Sequence, residues 1–305
     1  MNNKNLSESG IDRSVNQGLS RYSSPLIRKG LDLVNQSQLV DSQPLQPPQI
    51  SRVQTGAEKF LIRGIQKLNQ EDYQGAMEDF NQALRLDSDY YDVYILRASI
   101  RYQLDDSLGG IEDYNQVLRL NPNNVEGYTN RGYMRARLGD KLEAIKDFNQ
   151  ALRRDPSYVQ AYLNRSISRS ELGDYRGAIA DSNQILQTNP NNAHAYNNRG
   201  FSLYKLGNKQ AAIEDYSQAL RINSSFTQAY LNRSQALDEL GDKWGAIEDL
   251  TQALRINPKS AKVQMHRSGL RYDVGDYQGA LEDYNQALLY SKRSLLRSRR
   301  LSRCN

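Results

Sequence analysis

Seven arginines and seven aspartates recur along this chain, each series at a spacing of 34 residues. The arginines are Arg63, Arg97, Arg131, Arg165, Arg199, Arg233 and Arg267. The aspartates are Asp79, Asp113, Asp147, Asp181, Asp215, Asp249 and Asp283. Guanidinium and carboxylate groups can hold a ligand or hold each other. An arginine that faces a packed helix is costly unless a carboxylate meets it. A matched series therefore predicts a ladder of Arg–Asp pairs, within a repeat or across the junction between repeats. Its central members are Arg131, Arg165, Arg199 and Arg233 with Asp147, Asp181, Asp215 and Asp249. A structural role is expected, because the pattern holds even in the irregular end repeats.

A second series has the chemistry of binding. Asn130, Asn164, Asn198 and Asn232 stand at the same spacing. An asparagine amide offers both donors and an acceptor, so it can clasp one peptide unit of an extended ligand. Three residues further on come Tyr133, Ile167 and Phe201, and His194 and Lys205 flank Asn198 at helical spacing. These fall on one face of a helix, where they could meet one ligand together. Ile62 and Leu96 take the asparagine's place earlier in the chain. There the row is expected to give way to an apolar floor.

Catalytic chemistry is not legible. The one cysteine, Cys304, excludes an internal disulfide and a cysteine-built zinc site. It also points to a reducing, cytoplasmic setting. The two histidines, His194 and His266, lie more than two repeats apart, so no shared metal is expected. No phosphate-binding glycine loop, nucleophile elbow or His-Glu-x-x-His pair occurs. Acidic residues are plentiful on outward helix faces, where a solvated surface accounts for them. No enzyme activity, cofactor or metal is expected. Nor does any run of about 20 apolar residues mark a membrane span, and the first residues lack the apolar stretch of a secretory signal.

The elements that position these residues follow from the repeat itself. LGDKLEAIKDFNQAL (138–152) returns as LGDYRGAIADSNQIL (172–186), LGNKQAAIEDYSQAL (206–220) and LGDKWGAIEDLTQAL (240–254). Extending the period gives seven repeats over 57–294: 57–90, 91–124, 125–158, 159–192, 193–226, 227–260 and 261–294. Each reads as two helices, at repeat positions 2–14 and 18–31. Leu-Gly-Asp separates them, with the glycine free to take the left-handed conformation that ends a helix. Asn-Pro-Asn-Asn closes two of the repeats. Apolar residues at positions 4, 14, 21, 24 and 28, with small ones at 8, 20 and 27, give a helical spacing with one packed face.

Position 4 is aromatic from Phe60 through Tyr230, position 8 is Gly, Ala or Ser, and position 20 is alanine in six repeats. Position 24 is aromatic in five, and position 32 is Pro122, Pro156, Pro190 and Pro258. This pattern resembles the tetratricopeptide repeat family, and its wording is similar to that of bacterial, particularly cyanobacterial, repeat proteins. The resemblance implies an all-α fold: a right-handed α-solenoid of about seven helix-turn-helix repeats, stabilised by neighbour contacts. In that family position 7 is usually apolar, which makes the arginine series a departure. In that family the first helix of each repeat lines the concave surface, so the resemblance makes the face with the asparagines the expected partner-binding groove. The row resembles the ladder in the repeat domain of O-linked N-acetylglucosamine transferases, although no transferase domain is present; equally, asparagine is simply common at this position in the family. Gln264, Lys292 and Asp105 depart from the pattern and predict looser edges.

The flanks differ in composition from the body. Residues 1–56 hold nine Ser, seven Gln, five Asn and four Pro, and most of this stretch is expected to be disordered. Within it, 24–34 (SPLIRKGLDLV) is open to both a helix and a loose flank. Residues 289–305 carry six basic and no acidic side chains, whereas 57–288 carry 28 basic and 31 acidic. The chain's net charge of +5 thus comes from its ends. The tail, 295–305, reads as a cap on the last repeat through Leu295 and Leu296, or as an anchor for anionic lipid, RNA or an acidic partner. The function expected is a non-catalytic scaffold binding peptide or protein partners in the concave groove of the array. The alternative is association with RNA or an anionic surface through the basic tail.

Overall fold

The computed structural model describes residues 55–301, with side chains through Ser291. The readings made above for 1–54 and for the tail's side chains lie outside the described residues. Fourteen α-helices and no strand occur among the described residues. The chain divides into two compact units, 1–127 and 128–305.

The first unit contains α1 (Gly56–Asn69), α2 (Tyr73–Leu86), α3 (Tyr91–Gln103) and α4 (Ser107–Leu120). Leu61, Ile65, Phe80, Val93, Leu96 and Ile100 form its buried core. Leu96 is therefore buried, and Ile62 packs against the same cluster. At these two positions the side chains are apolar and contribute to the core of the unit, Ile62 keeping partial exposure. Gly64 explains the small residue at position 8, because a Cβ there would stand only 2.5 Å from the Phe80 ring. The second helix of the pair can approach this closely only where the first presents no side chain.

α5 (Val125–Arg137) carries the chain into the second unit. There it is followed by α6 (Lys141–Arg154), α7 (Val159–Glu171), α8 (Tyr175–Thr188), α9 (Ala193–Lys205) and α10 (Lys209–Ile222). Then come α11 (Thr227–Glu239), α12 (Lys243–Ile256), α13 (Ala261–Asp273) and α14 (Tyr277–Leu301). Odd-numbered helices pair with the following even-numbered ones, and the odd helices α7, α9 and α11 also touch in succession. Buried alanines at positions 20 and 27, such as Ala212, Ala219, Ala246 and Ala253, let the helices close on one another. No helix among the described residues is long and apolar enough to cross a membrane.

From α2 to α13 each helix begins and ends one residue earlier than the periodicity suggested, at positions 1–13 or 17–30; α1 begins two residues earlier, and α14 runs on to Leu301. The N-cap sets the second start. Asp72, Asp106, Asp174, Asp242 and Asp276 each accept from the amide of the glycine three residues on, at 2.9–3.0 Å. A Cβ on that glycine would crowd the capping carboxylate. Where Glu143 replaces the glycine, the Asp140 cap lengthens to 3.4 Å. Beside Ala211, the Asn208 side chain makes no cap bond.

The turn before each cap needs a left-handed residue. Glycine fills it in five repeats, from Gly139 to Gly275, at φ between 83° and 90°. Glu71 and Asp105 hold φ of 61° and 62° at the equivalent places. A side chain in this region costs about 1–2 kcal/mol. Glu71→Gly should stabilise the protein, by about 1 kcal/mol once glycine's greater chain entropy is deducted. Urea denaturation checks this, and a destabilising change would mean that the side chain makes compensating contacts.

Candidate functional site

The ladder residues meet within each helix pair. Arg165 Nε donates to Asp181 Oδ2 at 3.0 Å and its Nη2 to Oδ1 at 2.6 Å. The same two-bond fork joins Arg131 to Asp147, Arg199 to Asp215, Arg233 to Asp249 and Arg267 to Asp283, at 2.5–3.0 Å. Arg97–Asp113 and Arg63–Asp79 repeat it in the first unit. Every aspartate of the series is buried. The arginines keep partial access, from 14% for Arg165 to 57% for Arg63.

Three further kinds of contact add to the rungs, each in most repeats rather than all, and the sequence pattern alone does not reveal them. The aromatic at position 4 lies beneath the guanidinium: Tyr162 under Arg165 and Tyr196 under Arg199, both at 5.3 Å. The free Nη1 donates to a polar side chain of the preceding helix pair. Arg97 reaches Asn81, Arg199 Asn183, Arg233 Ser217 and Arg267 Thr251, at 2.7–2.9 Å; Arg165 bonds Asn149 at 2.5 Å. These five rungs each tie two pairs together, which supplies the neighbour coupling a repeat array relies on.

The third contact is a second cation, at position 11. Lys67, Arg101, Arg135, Arg169 and Arg271 lie 2.8–3.2 Å from Oδ2 of the same aspartates. Leu203 and Leu237 stand at this position in the remaining two repeats. The residue types were readable, but two leucines interrupt the series, and an interrupted series lacks the signal of an invariant one. The carboxylates respond differently to their settings. The hydrogen bond from Arg63 holds Asp79 below the usual carboxylate range. Burial dominates at Asp113 and Asp249 and pulls their carboxyls upward, against the arginines.

The asparagines occupy one face of the odd-numbered helices in the second unit, and all four are half-buried. Part of their hydrogen-bonding capacity is spent within the chain. Asn198 Nδ2 donates to Ser166 Oγ, and Asn232 Nδ2 to Asn197 Oδ1, both at 3.0 Å and both between successive odd helices. Asn164 Oδ1 accepts from Gln160, and Asn232 Oδ1 from Gln228. Asn164 Nδ2 and Asn198 Oδ1 make no hydrogen bond among the described residues. Ile167 is 40% exposed, and Tyr133 and Phe201 are half-buried. Lys205 Nζ sits 5.4 Å over the Phe201 ring, and His194 packs on Phe226 at 4.8 Å. Among the described residues no cluster of His, Cys, Asp and Glu is arranged to hold a metal ion.

Comparison with known proteins addresses the fold. A tetratricopeptide repeat protein from Parabacteroides merdae is 18% identical, with a TM-score of 0.66 over 77% of this chain and 93% of its own. PilW, a type IV pilus biogenesis factor, is 22% identical, with a TM-score of 0.60 over 70% of this chain and 98% of its own. A chain of the APC/C hetero-tetramer Cut9–Hcn1 is 18% identical, with a TM-score of 0.59 over 86% of this chain and 46% of its own. Comparison with the curated proteins finds no match. Tetratricopeptide repeat family models match 63–125, 96–159, 193–226 and 227–260, together more than half of the chain. With these matches and paired helices throughout the described residues, the chain belongs to the tetratricopeptide repeat family.

Proposed function

We propose that this protein is a non-catalytic scaffold that holds an extended segment of a partner protein on the odd-helix face of its second unit. The observation that carries this reading is the pair of unspent amide groups, Asn164 Nδ2 and Asn198 Oδ1. They lie on adjacent helices beside Ile167 and Phe201. One donor and one acceptor suit the carbonyl and amide of an extended backbone.

Magnitudes divide the work between polar and apolar groups. Two hydrogen bonds contribute about 1–3 kcal/mol together. Micromolar binding needs about 8 kcal/mol. Apolar contacts with Tyr133, Ile167 and Phe201 supply the larger part, and Lys205 and His194 add polar selectivity at the edge. Asn232, whose Nδ2 and Oδ1 each already hold one partner within the chain, contributes less to the ligand's hydrogen bonding.

Panning an extended-peptide display library on the full chain tests the reading. Peptides enriched on the wild type should lose at least tenfold in affinity for the Asn164→Ala, Asn198→Ala double variant. The melting curve should shift only slightly, since Ser166 keeps its bond to the Leu163 carbonyl. Enriched peptides that bind the folded double variant equally well would place the partner elsewhere.

A further inference from the structure

Five helix pairs carry a basic side chain at position 11, and its surroundings are alike. In four of them the cation bridges two acceptors: the buried aspartate's Oδ2 and the backbone carbonyl of a glycine four residues before it. Arg169 contacts Asp181 Oδ2 at 2.9 Å and the Gly177 carbonyl at 3.1 Å. Arg271 contacts Asp283 Oδ2 at 3.1 Å and the Gly279 carbonyl at 3.2 Å. Arg101 and Lys67 do the same with Asp113 and Gly109, and with Asp79 and Gly75.

The pair α11–α12 keeps both acceptors and lacks the cation. Gly245 and Asp249 stand in place, Asp249 only 3% exposed, while position 11 is Leu237. Arg233 occupies the other side of the carboxylate through its fork. A cavity of about 420 Å³ opens at this spot, lined by Tyr230, Leu237, Gly245, Glu248 and Asp249 together with Arg233. Glu248, exposed at its edge, adds a second negative charge.

We infer that this cavity receives the guanidinium of an arginine side chain belonging to a partner protein. The protein's own helix pairs supply the template: four of the five basic residues at this position are arginine. A planar fork can meet Asp249 Oδ2 and the Gly245 carbonyl together, as Arg169 and Arg271 do at their own sites. The Leu237 side chain offers the apolar surface along which the incoming methylene stem lies. The site is on the side of α11 that faces α12, away from the asparagine row, so it stands or falls separately from the reading above.

The test uses the full chain and blocked arginine (N-acetyl-arginine amide), followed by amide chemical shifts. Saturable binding in the millimolar range is expected for a ligand this small, with shifts centred on Gly245 and Asp249. Blocked citrulline, similar in shape and neutral, should bind at least tenfold more weakly. Leu237→Arg installs the missing cation and should abolish binding, whereas Leu237→Met should retain it. The proposal is overturned if blocked arginine leaves these amides unmoved, if citrulline binds equally, or if Leu237→Arg binds as the wild type does. Free arginine binding tenfold tighter than the blocked form would overturn the assignment to a partner's side chain.

Discussion

Asp181→Ala is expected to destabilise the protein by about 3–5 kcal/mol, because it strands the Arg165 guanidinium and takes from Arg169 the nearer of its two carboxylates. Asp181 is 2% exposed and takes the Arg165 fork at 3.0 and 2.6 Å, with Arg169 at 2.9 Å on its other side. Alanine leaves Arg165 without a carboxylate between α7 and α8, while Arg169 keeps Asp174 at 3.6 Å and the Gly177 carbonyl. Arg165 would keep only Asn149 and the Tyr162 ring, neither of which carries a charge to offset its own. The side chains are 14% and 23% exposed, so swinging fully into water requires the helix pair to open. Urea denaturation followed by circular dichroism measures the loss. A shift equivalent to less than about 1 kcal/mol would class the rung with surface ion pairs and remove the structural ladder as an explanation for the invariant aspartates.

How far this network was legible depends on what each signal required. An unbroken period of 34 residues exposed Arg165 and Asp181 as a series, and an arginine at a packed position demanded a carboxylate. Pairing could be reasoned from charge alone. The third partner could not. Asn149, Ser217 and Thr251 receive the free Nη1 through contact between neighbouring helix pairs. Their differing residue types concealed a shared position. The asparagine row shows the same limit. Helical spacing placed Asn164, Asn198 and Asn232 on one face, but Ser166 and Asn197 meet two of them only because successive odd helices lie side by side. Helix ends were misread by one residue for a local reason. The capping aspartate at position 16 admits the next residue into the helix, whereas apolar periodicity marks only where burial begins. Glu71 and Asp105 in a glycine turn carry no apolar signal, so periodicity does not reveal the left-handed conformation they hold.

Arg233→Ala should be more damaging than Arg165→Ala, although the two arginines make the same fork. The difference lies at position 11. After Arg165 is removed, Asp181 still has Arg169 at 2.9 Å, and the loss should be about 1.5–3 kcal/mol, the worth of hydrogen bonds to a charged group. After Arg233 is removed, Leu237 offers no cation, and Asp249 becomes a buried carboxylate without a counter-charge. The expected loss is about 3–5 kcal/mol at neutral pH. Its pH dependence identifies the cause. Burial already raises the Asp249 carboxyl above its ordinary value, and Arg233 is the influence that lowers it. Without Arg233 the folded-state value rises further, so the folded variant holds a proton that the unfolded chain releases at about pH 4. Below that pH both states are protonated and the charge penalty is absent. As pH climbs through the ordinary value toward the raised one, the unfolded state ionises first and the penalty accumulates. The gap between Arg233→Ala and Arg165→Ala should therefore be widest at pH 7 and narrow markedly on acidification toward pH 4, measured by denaturation of both variants across that range. Equal losses at pH 7, or a gap indifferent to pH, would mean that the aspartate's second side is held by something other than the position 11 cation. The arginine-binding cavity beside Asp249 would then lose its template as well.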